Sequence, residues 1–291
     1  MSSEVDELLE ETYEALKAFS RKVEIIDYSI RGKKAIDIAS SLKRGNVFIK
    51  ITADSYYLDK DDISELIKSS AAYSSAPLVV SSRIHGRELE DDVVYERGGI
   101  YLVKAYTLRS ILSGKEVFIL NTCGSYIIKI NAKKIKALRE ELGLSLGELA
   151  DRVGVSRKAV YEYERGNMHV SIDTALKLIE VLGEGVIEPI DIFREHLIMS
   201  EGAEAPPDVK LEEKIMNDLR KMEFRVIHLK RMPVDIVGRR DDGTVSFVIK
   251  HTSSSRNFNQ KVEEARKIAN IAKTELIVVK DEEIADLTPL K

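Results

Sequence analysis

The chain has 291 residues, and its 45 Lys and Arg against 49 Asp and Glu leave a net charge of −4. That length suits two or three domains, and a composition 44% apolar and 32% charged excludes a disordered or fibrous chain. No run of about 18 apolar residues is present to span a bilayer, and a single cysteine, Cys123, excludes an internal disulfide and a multi-cysteine metal cage. The opening MSSEVDELLEETYEALKAF is acidic and amphipathic, without the basic start and cleavage site of a signal peptide, so the expectation is a cytoplasmic protein with no membrane partner. The charge excludes a uniformly basic nucleic-acid coat but not a locally basic reading face.

In chain order, a helix over Leu8–Phe19 leads to the strand runs KVEII and AIDIAS, a turn, the run NVFIKIT, a helix over about 61–73 and the run PLVVSSR. Residues 1–115 read as one α/β domain. Residues 116–130, EVFILNTCGSYIIKI, place two apolar runs around NTCGS and predict a connecting hairpin. Residues 131–197 read as short helices. SEGAEAPPD, within the segment 198–208, reads as an exposed linker, and residues 209–291 form a second α/β domain. That last segment repeats the first: a helix over Leu211–Met222, RVIHL, PVDIVG, the turn RRDDGT, SFVIKHT, a helix over about 260–272 and ELIVVKD. Matching the two puts Asp37 on Asp235, Lys50 on Lys250 and Glu65 on Glu264, with turns that differ by two residues. A duplicated domain of this kind invites packing as a pseudo-dimer.

The helical segment carries its own punctuation. Ile135, Leu138 and Leu142 give its first helix an apolar stripe, and Ser145 with Glu148 forms a capping box that starts a second helix. The inner face of that helix is Leu146, Leu149 and Val153, and Gly154 ends it, since glycine takes the left-handed turn at least cost. Ser156 caps a third helix with Val160 and Tyr163 inward and Gly166 at its end. A fourth, over Ile172–Leu182, is expected to bury Ala175, Leu176, Ile179 and Leu182. Two short helices joined at Gly-Val-Ser and packed by others make a helix-turn-helix.

In LGLSLGELADRVGVSRKAVYEYERG the cap, glycine turn, apolar spacing and closing Glu-Arg-Gly occur in register, and Ala132–Gly183 resembles the phage-repressor, Cro-like (XRE-type) family of DNA-binding domains. The resemblance implies that the helix after Ser156 reads the major groove, and that Arg139 and Glu164 form an ion pair. A reading helix presents its first turn and every third or fourth residue to the bases; here those are Arg157, Lys158, Tyr161 and Glu162. Arginine can donate twice to guanine, and Lys158 reaches guanine or phosphate. Tyr161 offers a thymine-methyl contact, a phosphate hydrogen bond or plain packing, and Glu162 either accepts from cytosine N4 or repels the backbone. Ser145 and Ser156, at caps where free N–H groups gather, suit phosphate oxygens, and Arg165 is a further phosphate candidate. His169 reads as an ordinary loop histidine.

In both repeats the order helix, strand, Asp-bearing strand, Lys-bearing strand, helix, strand resembles the restriction-endonuclease and Holliday-junction-resolvase superfamily. That resemblance implies a magnesium site built from an Asp and a Glu-x-Lys. Asp37 with Lys50, and Asp235 with Lys250, stand at the outer positions, while Phe48 and Val248 stand where the second carboxylate belongs. An apolar side chain does not ligate a hard cation, so both copies are expected to be inactive, with no metal and no cofactor. No glycine-rich phosphate loop or zinc motif occurs, and neither Cys123 nor the serines of HTSSSR carry a nucleophile signal. Lys230, Arg231, Arg239 and Arg240 form a basic cluster that is either a DNA-backbone contact or a solvated surface.

The whole layout resembles a family of archaeal helix-turn-helix transcriptional regulators. The expected fold is multidomain α+β, a central all-α Cro-like bundle between two duplicated nuclease-like α/β domains. The expected function is sequence-specific binding of double-stranded DNA by a homodimer that blocks or recruits transcription machinery, without catalysis. Two alternatives stay open: a DNA nuclease whose carboxylates come from elsewhere, such as Glu65 or Glu264, and a protein-interaction scaffold.

Overall fold

The computed structural model describes residues 2–30, 32–193, 210–250 and 257–280. The expected linker at 198–208, the HTSSSR segment and residues 194–197 of the expected helical domain lie outside the described residues. The chain runs α1 (Ser2–Lys17), β1 (Lys22–Ile25), β2 (Ile38–Leu42), β3 (Gly45–Asp54), a 3-10 turn (Ser55–Tyr57), α2 (Lys60–Ala72) and β4 (Ser75–Ile84). It continues through β5 (Arg87–Glu88), β6 (Val93–Arg97), β7 (Ile100–Val103), α3 (Ala105–Leu112), β8 (Ile119–Thr122) and β9 (Ser125–Ile128). Then come α4 (Ala132–Glu141), α5 (Leu146–Val153), α6 (Arg157–Glu164) and α7 (Ile172–Leu182). The last elements are α8 (Lys210–Lys221), β10 (Arg225–His228), β11 (Ile236–Arg240), β12 (Gly243–Ile249), α9 (Phe258–Ala272) and β13 (Glu275–Val279). Two compact units result: Met1–Arg87 with Phe193–Lys291, and Glu88–Ile192. The expected domain break at residue 115 therefore falls inside the second unit.

The first unit holds the sequence repeat. In the first copy β1-β2-β3 are antiparallel neighbours and β4 joins β3 in parallel through α2. The second copy repeats this arrangement as β10-β11-β12-β13 with α9 as the crossover. Leu8, Thr12, Ala15 and Leu16 form the buried stripe of α1, at the spacing an amphipathic helix requires. Asp59 and Asp62 form a capping box that starts α2.

Strand register corrects the sequence match. Ile38 pairs with Ile49 and Leu42 with Gly45, while Ile236 pairs with Phe247 and Arg240 with Gly243, so the two hairpin turns have the same length. Asp37 accepts the Ile51 N–H and Asp235 the Ile249 N–H, both at 2.7 Å. Val248, not Lys250, is thus the counterpart of Lys50. A strand pattern has period two, so a slip by two residues keeps every side chain on its face and leaves no trace in hydrophobic alternation. The length difference between the copies lies instead before Asp37, in the connection from β1 to β2.

The copies pack against one another through reciprocal contacts. Buried Glu65 of α2 accepts the backbone N–H of Lys230 at 3.0 Å, and buried Glu264 of α9 accepts that of Asp27 at 2.9 Å. Asp27 and Lys230 are themselves equivalent, since the residues before them, Ile26 and Leu229, donate to the carbonyls of Asp37 and Asp235. The Ala35 N–H donates to the Arg231 carbonyl, and the Tyr73 hydroxyl meets Ser246 at 3.0 Å. This is the expected pseudo-dimer, formed within one chain.

The second unit joins a small sheet to the helices. Its strands run β7-β6-β8-β9, with β6 and β8 parallel and the other pairs antiparallel. Cys123 (φ 50°) and Gly124 (φ 81°) make the two-residue turn of the expected hairpin, with both residues left-handed as that turn requires. The hairpin is more than a connector, because Ile128 bridges Val170, Ile130 bridges Ile187, and both isoleucines enter the helical core. That core gathers Ile135, Leu149, Ala150, Val153, Val160, Tyr163, Ala175, Leu178 and Leu182. Leu142 and Leu176, expected inside, are 54% and 53% exposed. Leu142 lies past the last turn of α4 as its cap. On α7 the buried stripe is Ala175, Leu178 and Leu182, and Leu176 points a quarter-turn or more away from it.

Asp235 is held by Lys261 of α9, whose ammonium lies 2.6 Å from both carboxylate oxygens, with both side chains buried. Lys261→Met removes the buried ammonium that meets both oxygens of this carboxylate, and the expected loss of stability is about 3–5 kcal/mol. The Asp235→Asn, Lys261→Met pair, which removes the charge and keeps an acceptor for Ile249, recovers part of that loss in a denaturant titration.

Candidate nucleic-acid interface

Three devices set the helix-turn-helix. At the start of α5 the Ser145 hydroxyl accepts the Glu148 N–H at 3.2 Å, and the Glu148 carboxylate accepts the Ser145 N–H at 2.8 Å. That backbone hydrogen bond, with the serine hydroxyl, holds the Glu148 carboxyl below its ordinary pKa. At its end Gly154 takes φ 76°, ψ 37° and the chain turns through Val155 to Ser156, which caps α6 by accepting the Ala159 N–H at 3.1 Å. A β-carbon at residue 154 would carry the cost of the left-handed conformation and would lie 3.3 Å from the Lys177 ammonium.

The third device is the Arg139–Glu164 pair that the Cro-like resemblance implied. Arg139 of α4 grips both carboxylate oxygens of Glu164, at 2.5 and 3.1 Å, and also donates to the Leu144 carbonyl at 2.8 Å. The Glu164 carboxylate, outweighing burial, raises the arginine pKa. The pair is only 11% and 9% exposed, so it fixes the end of α6 against α4 and steadies the loop before α5 with the same guanidinium.

With Val160 and Tyr163 in the core, the outer face of α6 is set. Ser156, Arg157, Lys158, Tyr161 and Arg165 are all exposed there, and Ser145 is exposed at the start of α5. Neither Arg157 nor Lys158 enters an ion pair among the described residues. The Arg165 guanidinium lies over the Tyr161 ring, 5.5 Å from its centroid. Glu162 is half-buried, and its carboxylate accepts from the Asn167 side chain at 2.7 Å. Lys177 was not singled out in the sequence; it is an exposed cation beside the Gly154 turn. Only the packing of α7 against α5 brings it there, and no local motif announces that.

The nuclease-like centres have a different character. Both Asp37 oxygens are taken, by Lys34 at 2.9 Å and by Lys50 at 3.2 Å together with the Ile51 N–H. Phe48, two residues before Lys50, is fully buried and packs edge-on to Tyr73. In the second copy Lys261 stands in for the strand lysine, and burial together with the Asp235 charge pushes the Tyr28 hydroxyl up to about 12. The expected basic cluster is largely consumed: Arg231 pairs with Asp62, Arg239 donates to the Ala71 carbonyl, and Arg240 pairs with Asp242.

Residues 5–117 match the PD-(D/E)XK superfamily domain, and residues 135–188 match a helix-turn-helix domain. A protein of Sulfurisphaera tokodaii, provisionally named an HTH-type transcriptional regulatory protein, is 30% identical over 273 residues, covering 93% of this chain and 89% of its own length. The chain belongs to this family of archaeal helix-turn-helix regulatory proteins. A relative of the same name from Aeropyrum pernix is 30% identical over 90% of this chain and 80% of its own length. One from Pyrococcus furiosus is 35% identical over 206 residues, and the chain spans 64% of that relative's length. A chain of the SinR protein/SinI protein complex, 23% identical, aligns with 32% of this chain and 95% of itself at a TM-score of 0.17, too low to bear on the fold.

The PD-(D/E)XK match implies a divalent metal, and the residues of this regulator-family chain do not fit one. The first centre offers one carboxylate already neutralised by two lysines, with a buried phenylalanine where a second ligand belongs. Among the described residues no three His, Cys, Asp or Glu side chains gather closely enough to hold an ion. Glu65 and Glu264, the carboxylates considered as replacements, are engaged by backbone N–H groups of the opposite copy. Nor is any described helix long and apolar enough to cross a membrane.

Arg139→Met should destabilise the second unit by about 3–5 kcal/mol, because it leaves the Glu164 carboxylate buried without its partner. Thermal unfolding compared with an Arg139→Met, Glu164→Leu pair checks this, since the pair should be the more stable of the two.

Proposed function

We propose that the protein is a sequence-specific double-stranded DNA-binding regulator that reads the major groove with α6 and performs no catalysis. The observation that carries this reading is the outer face of α6, where two cations that enter no ion pair among the described residues stand on the first turn of a helix fixed by a cap, a glycine turn and an ion pair. In this reading Arg157 donates to guanine and Lys158 to guanine or phosphate, while the Tyr161 ring packs on a thymine methyl or its hydroxyl donates to a phosphate. Ser145, Ser156 and Arg165 are assigned to phosphates, with the N–H groups at the two helix starts. Glu162 is assigned to spacing rather than base reading, since Asn167 already binds it. In this reading a homodimer spans half-sites about 34 Å apart and acts on transcription by occupying its site or recruiting the machinery there.

The test is selection from a pool of genomic duplex fragments at several salt concentrations with magnesium present. Wild type is expected to enrich a shared site with affinity that falls steeply with salt. Arg157→Ala, Lys158→Ala is expected to weaken that site by roughly 10–100-fold or more, since a good base contact is worth about 1–3 kcal/mol. The same change should lower the salt slope. No enrichment with an indifferent double variant overturns the reading in favour of a protein scaffold, and cleaved fragment ends overturn it in favour of a nuclease.

A further inference from the structure

The two repeats of the first unit enclose a cleft at the end of their hairpins away from Asp37 and Asp235. Its volume is about 540 Å³, within the usual range for small-molecule sites. Both hairpin turns line it, through Lys43 in one copy and Asp241 and Asp242 in the other, and so do the residues that close α2 and α9. These are equivalent parts of the repeat, so the cleft is made by the packing of the copies and neither copy holds it alone.

Cations outnumber carboxylates around it. Arg21, Lys43, Arg239, Arg240 and Lys273 line the cleft against Asp241 and Asp242. Arg240 grips both oxygens of Asp242, at 2.6 and 2.7 Å, and those two charges cancel. Arg21, Lys43, Arg239 and Lys273 enter no ion pair among the described residues. Arg239 gives one N–H to the Ala71 carbonyl at 3.3 Å and keeps its other donors. A helix C-terminus carries about half a negative charge, so the ends of α2 and α9 together offset about one cation, and Asp241 offsets another. An excess of about two positive charges remains.

The backbone holds one of these cations at a cost. Lys273 stands at the left-handed position that ends α9, with φ 56° and ψ 47°, where glycine is the cheapest residue. α5 ends on glycine at that position, so the turn itself does not ask for lysine. Behind the rim, the Tyr73 hydroxyl meets Ser246 at 3.0 Å and Ser246 meets Thr274 at 3.2 Å. This chain of hydroxyls draws on both copies, and its two ends, Tyr73 and Thr274, line the cleft.

We propose that the cleft binds a small phosphate ester, with its dianionic phosphate held by Arg21, Lys43, Arg239 and Lys273. A phosphate dianion matches the excess charge, and its oxygens suit guanidinium and ammonium donors. A bare phosphate leaves most of the volume empty, which assigns the remainder, beside the Tyr73 and Thr274 hydroxyls, to the organic part. The site lies at the opposite end of the hairpins from the nuclease-like centres and does not depend on the role of α6.

The test is calorimetric titration of the full-length Arg157→Ala, Lys158→Ala protein at fixed ionic strength, a background that removes the reading face of α6 as a rival anion site. Ribose 5-phosphate and inorganic phosphate are the probes, and ribose is the control. The expected result is saturable binding of ribose 5-phosphate, at least as tight as that of inorganic phosphate, and none of ribose. Lys273→Gly suits the left-handed turn, so its Tm should not fall, while its affinity for ribose 5-phosphate drops about tenfold or more, the worth of one hydrogen bond to a charged group. Arg21→Gln, a change at an exposed residue, is expected to weaken binding to a similar degree. No saturable binding of ribose 5-phosphate, or unchanged affinity in either folded variant, overturns the proposal. Tighter binding of inorganic phosphate overturns the ester in favour of a simple anion site. Displacement of ribose 5-phosphate by a DNA duplex overturns the small molecule in favour of a DNA strand.

Discussion

A carboxylate taken out of water must be met by N–H groups or a cation, and this protein places one at nearly every joint. Asp37 and Asp235 close the sheets of the two repeats, Glu65 and Glu264 lock the repeats together, and Glu164 fixes α6 against α4. Each is more specific than an apolar contact, because an acceptor that loses its donor costs more than a methyl group that loses a neighbour. The reciprocal pair Glu65 and Glu264 settles which faces of the copies meet. An apolar patch would tolerate sliding, whereas a buried oxygen on a single backbone N–H does not.

The first copy matches the PD-(D/E)XK superfamily domain, and in both copies a lysine meets the aspartate at the first strand crossing. The two copies solved this differently, with Lys34 and Lys50 around Asp37 and Lys261 from a helix against Asp235. A lysine held this way neutralises the aspartate without any ion.

What the sequence revealed follows the range of each interaction. The helix-turn-helix was legible because its determinants are local: Ser145 and Glu148 are three residues apart, and Gly154 and Ser156 sit at the turn itself. The order of elements in the repeat was legible for the same reason. The pairing of Lys50 was not, since strand alternation is blind to a shift of two. Lys261 could not be seen opposite Asp235, being 26 residues distant, nor could two glutamates be matched to backbone groups more than 160 residues away. Leu142 and Leu176 were misread because a stripe counted along a helix does not know where packing ends.

The fused arrangement of the repeats has a consequence for how such a protein changes over generations. In a dimer of identical chains every substitution at the interface is made twice, so a change that suits one side must be tolerated on the other. Here the two faces are encoded separately. The connection before Asp37 is longer than the one before Asp235, and each aspartate takes its cation from a different place in the fold. Dilution does not separate the halves, so neither half has to remain stable alone. A new surface can therefore arise on one half only, without a second copy to burden the other.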